Sequence, residues 1–189
     1  MLINTIGLIF LISLFTLFGA WYARKYQKSD ALIALYVIFI ALSQILAVKI
    51  AIFDLGFTEI TAPAAVLIFA VTFLITDIVN EKFGRKETHK MIFITFFTQI
   101  VMVFFIYLGT YLEPAIFWHN QEAWELIFNI VPRITLASWI TFLISENLDA
   151  YLFAFIKNIT RGKYLWIRNI GSSFISLSVD TVLFVSLAF

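Results

Sequence analysis

Six mostly apolar runs of roughly twenty residues dominate this chain, at Leu2–Tyr22, Ala31–Phe53, Ala62–Val79, Met91–Leu112, Pro132–Ile156 and Leu165–Phe189. A helix of ~20 apolar residues crosses the hydrocarbon core of a bilayer. Barrel strands would instead alternate over ~10 residues. The pattern predicts an all-α fold, a polytopic membrane helix bundle with six transmembrane helices, forming one domain over 1–189. Composition agrees, since 62% of the residues are hydrophobic and 13% charged, against ~45–50% apolar and ~25% charged in soluble domains. A soluble fold of this length could not hide 22 Phe side chains. An ordinary cytosolic enzyme, a disordered tail and a nucleic-acid binder are excluded.

The first run has no basic segment before it and is longer than the ~7–15-residue apolar core of a signal peptide. It is expected to be a retained helix. Cys is absent, which removes disulfides, thiol nucleophiles and Cys-ligated metal sites. No zinc-protease motif or Gly-rich phosphate loop occurs. His89 and His119 fall in connections on opposite sides of the membrane, so no metal site or cofactor is expected.

The connections sort by charge. Arg24, Lys25 and Lys28 follow the first run, Lys82, Arg85, Lys86 and Lys90 the third, and Lys157, Arg161, Lys163 and Arg168 the fifth, eleven of the thirteen basic residues. The alternate connections carry Asp54, Glu59, Glu113, Glu122 and Glu125. Excess Lys and Arg stay cytoplasmic. The amino terminus is therefore expected outside, with the first, third and fifth connections inside. The sequon at Asn158 then lies inside and carries no glycan. Pro63, Pro114 and Pro132 fall at span ends, where a missing N–H costs little. The one sizeable connection, Glu113–Val131, holds Phe117, Trp118 and Trp124, residues suited to a membrane interface.

Polar groups that persist at membrane depth are costly, and are where function is sought. The second run carries Gln44 near its middle and Lys49 nearer its outer end, where Lys49 either snorkels to the surface or faces the bundle. Asp77, Asn80 and Glu81 share a face near the end of the third run. Two carboxylates there oppose the helix dipole, which points to partners elsewhere in the bundle or to a ligand, against the plainer reading of a solvated helix end stopped by Gly84. The fifth run has Thr141, Ser145 and Asp149 at four-residue spacing, with Glu146 beside them and Ser138 one turn earlier. The sixth repeats the spacing with Ser172, Ser176 and Asp180. Hydroxyl stripes also serve helix packing, but carboxyls on both helices argue for an acid-lined cavity. Glu146, Asp149 and Asp180 outweigh Lys49 and Arg168. Such a cavity favours a ligand rich in hydrogen-bond donors, and suits protons or sodium as coupling ions.

Three stretches carry a family resemblance: ITDIVNEKFGRKETHK, RITLASWITFLISENLDAYLFAFIK and KYLWIRNIGSSFISLSVDTVLFVSLAF. They contain T-D-x-x-x-E-x-x-G, S-x-x-x-D and L-W-x-R-N-x-G-S followed by a buried Asp. In combination they resemble the YhhQ-type queuosine precursor transporters, also called the vitamin uptake transporter family. The likeness covers 31–189, and residues 1–23 resemble an extra N-terminal helix of some members. It implies import across the cell membrane of 7-cyano-7-deazaguanine or 7-aminomethyl-7-deazaguanine, bases salvaged for queuosine in tRNA. The family-like positions are Lys49, Asp77, Glu81, Gly84, Ser145, Asp149, Arg168, Asn169, Gly171, Ser172 and Asp180. Similar proteins tend to carry Gln where Glu146 stands and near Leu177, departures that bear on substrate choice or proton coupling. They also continue into one more helix bearing a Lys beyond the position of Phe189; either that helix is missing from this sequence or this member is short.

The expected partners are a small 7-deazaguanine base and the lipid bilayer, with no direct nucleic-acid contact; a homo-oligomer is left open. The base presents adjacent N1–H and N2–H₂ donors, which one carboxylate accepts in bidentate fashion. The expected binding set is Gln44, Lys49, Ser145, Glu146, Asp149, Asn169, Ser172, Ser176 and Asp180, with Asp77, Asn80, Glu81 and Arg168 as a cytoplasmic gate. Rival readings are a binding subunit that needs an energising partner, as in energy-coupling-factor vitamin uptake systems, and a non-transporting helical scaffold. A membrane enzyme is disfavoured, because acid pairs without a metal or nucleophile suggest no reaction.

Overall fold

The computed structural model describes residues 2–129 and 132–188. In chain order the elements are α1 (Leu2–Tyr26), α2 (Asp30–Leu46), β1 (Ile50–Asp54), β2 (Glu59–Pro63), α3 (Val66–Phe83), α4 (Arg85–Thr110), α5 (Gln121–Asn129), α6 (Pro132–Ile159) and α7 (Leu165–Ala188). Among the described residues three segments, Leu2–Tyr26, Arg85–Thr110 and Ser138–Ile159, are long and apolar enough to cross a membrane.

Many large apolar side chains lie outside, and many small or polar ones inside. On α1 the buried positions are Thr5, Ile12, Thr16, Gly19 and Ala23, while Ile3, Phe10 and Leu17 are exposed. This distribution suits helices solvated by lipid, where close approach depends on small residues. At Gly19 a Cβ would meet Leu32 and Leu35 of α2 at under 3 Å, so α1 packs closely on α2. The apolar core joins Leu32, Tyr36 and Ile40 of α2, Ile75 and Val79 of α3, Met91 and Ile92 of α4, and Phe142 and Ala150 of α6.

The expected second span is corrected. α2 ends at Leu46, and the rest of that run enters a hairpin in which β1 pairs antiparallel with β2, Ile50 opposite Pro63 and Asp54 opposite Glu59. The Asp54 carboxylate accepts from Gly56 N at 2.8 Å, and Gly56 takes φ +85°, a turn that favours glycine. Short apolar runs are shared by strands and helices, so hydropathy alone merges the two. α3 accordingly starts at Val66 rather than Ala62 and runs on to Phe83. Gln44 lies in the last turn of α2, not mid-span. The 113–131 connection contains α5, whose Trp124 indole donates to Thr110 Oγ1 at 3.0 Å; Ile130 and Val131 lie outside the described residues. Phe189, at the end of the expected sixth span, does too. His89 sits on α4, against Asn147 of α6, rather than in a loop.

The three basic connections meet at one end of the bundle. Lys82 Nζ donates to the Ala23 carbonyl, the Ser29 hydroxyl to Glu87 at 2.7 Å, and Lys157 Nζ to the Glu81 carbonyl at 3.0 Å. Helices α3 and α4 are joined by Gly84 alone, with φ +85° and ψ 168°, a region essentially closed to residues with a Cβ. Deeper in, the Asn80 amide donates to the Ala150 carbonyl of α6 at 2.7 Å. Replacing it by Leu should remove an interhelical bond worth about 1 kcal/mol. Thermal unfolding in detergent checks this, with Asn80→Leu melting below the parent protein.

Candidate functional site

Helices α2, α3, α6 and α7 enclose a polar seam. Its upper end is a cavity of about 270 Å³ between the C-terminal turn of α2, the base of the hairpin, α3, α6 and α7. Gln44, Ser43, Thr141 and Asp180 bring polar groups to its wall, and Phe69, Phe142 and Phe184 bring aromatic ones. The four-residue spacing of α6 and α7 has turned their hydroxyl and carboxyl stripes toward each other.

Below the wall, the Ser145 hydroxyl lies 2.8 Å from Asp180 Oδ1 and 2.7 Å from the Thr141 carbonyl. The next level holds Glu146, fully buried, with Oε2 2.9 Å from the Thr76 hydroxyl of α3. The buried Tyr36 hydroxyl of α2 faces the same carboxyl. One turn on, Asp149 Oδ1 lies 2.9 Å from the Ser176 hydroxyl, and Asp149 faces Asp77 of α3. Asp77 in turn accepts from the Asn169 amide of α7. Asp77, Glu146 and Asp149 are 0–3% exposed. Asp77 Oδ1, Glu146 Oε1 and Asp149 Oδ2 are buried without a hydrogen-bond partner.

The basic end closes the seam. Arg168, itself buried, places Nη2 2.7 Å from Glu81 Oε2 and donates from Nη1 to the Gly162 carbonyl at 2.9 Å. Lys157 Nζ reaches the same Glu81 oxygen at 3.1 Å. One guanidinium thus ties α3 to the α6–α7 turn, where Arg161, Gly162 and Tyr164 all take positive φ. Gly171 brings α7 close to α6, with Ile156 Cδ1 3.3 Å from where a Cβ would stand.

The sequence-derived set is therefore brought together unevenly. Gln44 and Asp180 share the cavity wall; Ser145, Glu146, Asp149, Ser172, Ser176 and Asn169 lie along the buried seam beneath it. Asp77, Glu81 and Arg168 lie toward the basic end, whereas the Asn80 amide donates to the Ala150 carbonyl. Lys49 does not join them. It is exposed at the foot of the hairpin, where its carbonyl accepts from Ala64 N at 2.7 Å, because α2 stops before reaching it. Sequence reasoning passed over Tyr36. The pairing of Tyr36 with Glu146 comes from two distant helices and leaves no local signature. Among the described residues no three Asp, Glu or His side chains converge to hold a metal ion.

Residues 63–189, two-thirds of the chain, match the family model described as "Putative vitamin uptake transporter". A Bacillus subtilis (strain 168) protein named "Probable queuosine precursor transporter" is 34% identical over 131 residues, which cover 69% of this chain and 57% of that protein. The chain thus spans little more than half the length of this relative. No solved structure matches.

The Arg168 contacts set an expectation for the α6–α7 turn. In Arg168→Ala, trypsin should cut at Arg161 and Lys163 several-fold faster than in the parent. Lys90→Ala, which breaks only the exposed pair with Glu87, should leave the rate unchanged, since such pairs contribute ~0–1 kcal/mol. Timed proteolysis read by mass spectrometry checks both.

Proposed function

Because this chain belongs to the vitamin uptake transporter family, we propose that it is a multi-pass cell-membrane importer of a 7-deazaguanine base. In this reading α1, α2, α3, α4, α6 and α7 cross the bilayer, the amino terminus is outside, and the basic end faces the cytoplasm. The alternation of basic connections supports this orientation, as does their meeting at one end of the bundle. The hairpin and α5 then lie at the outer surface, and the cavity opens toward it.

The observation that carries the reading is the cavity itself. Its volume of about 270 Å³ lies just below the ~300–1,000 Å³ range of small-molecule pockets, which suits a single fused ring system better than a large vitamin. Asp180 supplies a carboxylate for the N1–H and N2–H₂ donor edge, and the Gln44 amide serves an acceptor such as O6. Phe69, Phe142 and Phe184 offer faces against which a flat ring packs. Glu146 and Asp149 lie behind this wall rather than in it, so the proposed contact set is smaller than the sequence stripe suggested. Transport rather than catalysis is the reading the family supports.

The test is uptake of labelled base by bacterial cells that cannot make the precursor, with this chain as their sole importer. Charge-assisted hydrogen bonds contribute ~1.5–3 kcal/mol each, so Asp180→Ala and Gln44→Ala should reduce uptake by about tenfold or more. Thermal-shift measurements on the purified chain should show stabilisation by 7-cyano- or 7-aminomethyl-7-deazaguanine, since a ligand of the native state stabilises by mass action. Stabilisation by a vitamin alone, or uptake only alongside an ATP-driven partner, would favour the energy-coupling-factor reading instead.

A further inference from the structure

Three hydroxyls in the seam share one arrangement that the binding reading does not use. Ser145, Thr76 and Ser176 each lie 2.7–3.0 Å from the carbonyl four residues earlier, those of Thr141, Thr72 and Ser172. Each also lies 2.8–2.9 Å from a carboxyl oxygen, of Asp180, Glu146 and Asp149 respectively. A hydroxyl has one hydrogen and two acceptor lone pairs. When that hydrogen goes to the helix carbonyl, the carboxyl contact becomes a hydrogen bond only if the carboxyl supplies the proton. Each contact therefore accommodates either a carboxylate accepting from the hydroxyl or a carboxylic acid donating to it.

The surrounding charges favour the second. The groups facing these carboxyls are Tyr36 from α2, Asp77 from α3, Glu146 and Asp149 from α6, and Asp180 and Arg168 from α7. On α4, His89 is turned to Asn147. Arg168 forms its ion pair with Glu81, and among the described residues none of the four seam carboxyls has an ion pair. Several ionised carboxylates without counter-ions in a dry interior are very costly, and facing acids settle the cost by sharing a proton. The buried Tyr36 hydroxyl, with no hydrogen-bond partner of its own, is a further group aimed at Glu146.

We propose that Glu146 and the facing pair Asp77 and Asp149 are a proton-carrying site, and that protons move inward through it together with the base. The proposal rests on the import reading above. When Asp180 takes the donor edge of the base, the acids behind it hold the accompanying proton. Asp77, bonded to Asn169 beside the Arg168–Glu81 closure, is the point from which that proton leaves on the basic side.

The experiment uses the full chain in liposomes containing a pH-sensitive dye, with labelled 7-cyano-7-deazaguanine outside. Base entry should acidify the interior, and an inwardly directed proton gradient should raise accumulation by up to roughly tenfold per pH unit for one proton per base. An equal sodium gradient should have no effect. Glu146→Gln and Asp149→Asn should lose the gradient effect yet retain counterflow exchange of labelled for unlabelled base, which also reports that they are folded. Accumulation that ignores the proton gradient, with counterflow intact, overturns this inference and leaves import standing. Accumulation driven by sodium overturns it as well. Gradient-driven accumulation in both variants removes the assignment to these residues, and loss of counterflow in both makes them part of base binding instead. Absence of any base exchange by the parent chain overturns both readings.

Discussion

A buried carboxyl in a lipid-solvated bundle has to find hydrogen-bond partners within the protein, because no water or headgroup reaches it. Three such groups, Asp77, Glu146 and Asp149, together with the half-buried Asp180 at the cavity wall, govern how this bundle is put together. Their partners are almost all short hydroxyl side chains of neighbouring helices: Thr76 for Glu146, Ser176 for Asp149, Ser145 for Asp180. Short side chains are what closely packed helices can accommodate, so one choice of residue serves both the polar contacts and the approach of the backbones. The acids therefore select which faces of α3, α6 and α7 turn inward, and the large apolar residues are left for lipid.

That selection was legible before any coordinates. The spacing of Thr141, Ser145 and Asp149 and of Ser172, Ser176 and Asp180 puts each set on one helical face, and the two faces do meet. The association of Asp77 and Glu81 with the start of α7 followed only from the family resemblance, since no spacing rule links residues some ninety positions apart. Other features were hidden for identifiable reasons. The stretch 47–53 is as apolar as the helix before it, and only the Asp54–Gly56 turn betrays a hairpin. Lys49 reads as a helical residue near the outer end of the second span only because 47–53 continues the apolar run. Tyr36 is a lone aromatic in an apolar stretch, and its importance lies in what α6 sets opposite it. Asn80 shares a face with Asp77 but is bonded to a backbone carbonyl.

Charge is handled differently at the two ends of the seam. Near the cavity, carboxyls meet neutral donors. At the basic end, Glu81 meets both Arg168 and Lys157, and Arg168 also holds the turn between α6 and α7 through Gly162. A guanidinium suits this post because its fork can serve two acceptors at once. The same residue thus neutralises the last acid of α3 and shapes the turn that starts α7, which ties the local form of the chain to closure of the site.

The one-residue joint between α3 and α4 restricts how the bundle deforms. Sliding one helix past another by a full turn means a shift of about 5.4 Å, whereas consecutive Cα atoms are only ~3.8 Å apart. With Gly84 as the sole intervening residue, α3 and α4 have no slack for such a ratchet and are coupled along their axes like the two arms of a bracket. The connection from α6 to α7 is longer, running from Thr160 to Tyr164. Large relative travel is therefore channelled to the boundary between the α3–α4 bracket and the α6–α7 pair, which is the surface along which the acids of α3 and α6 face one another.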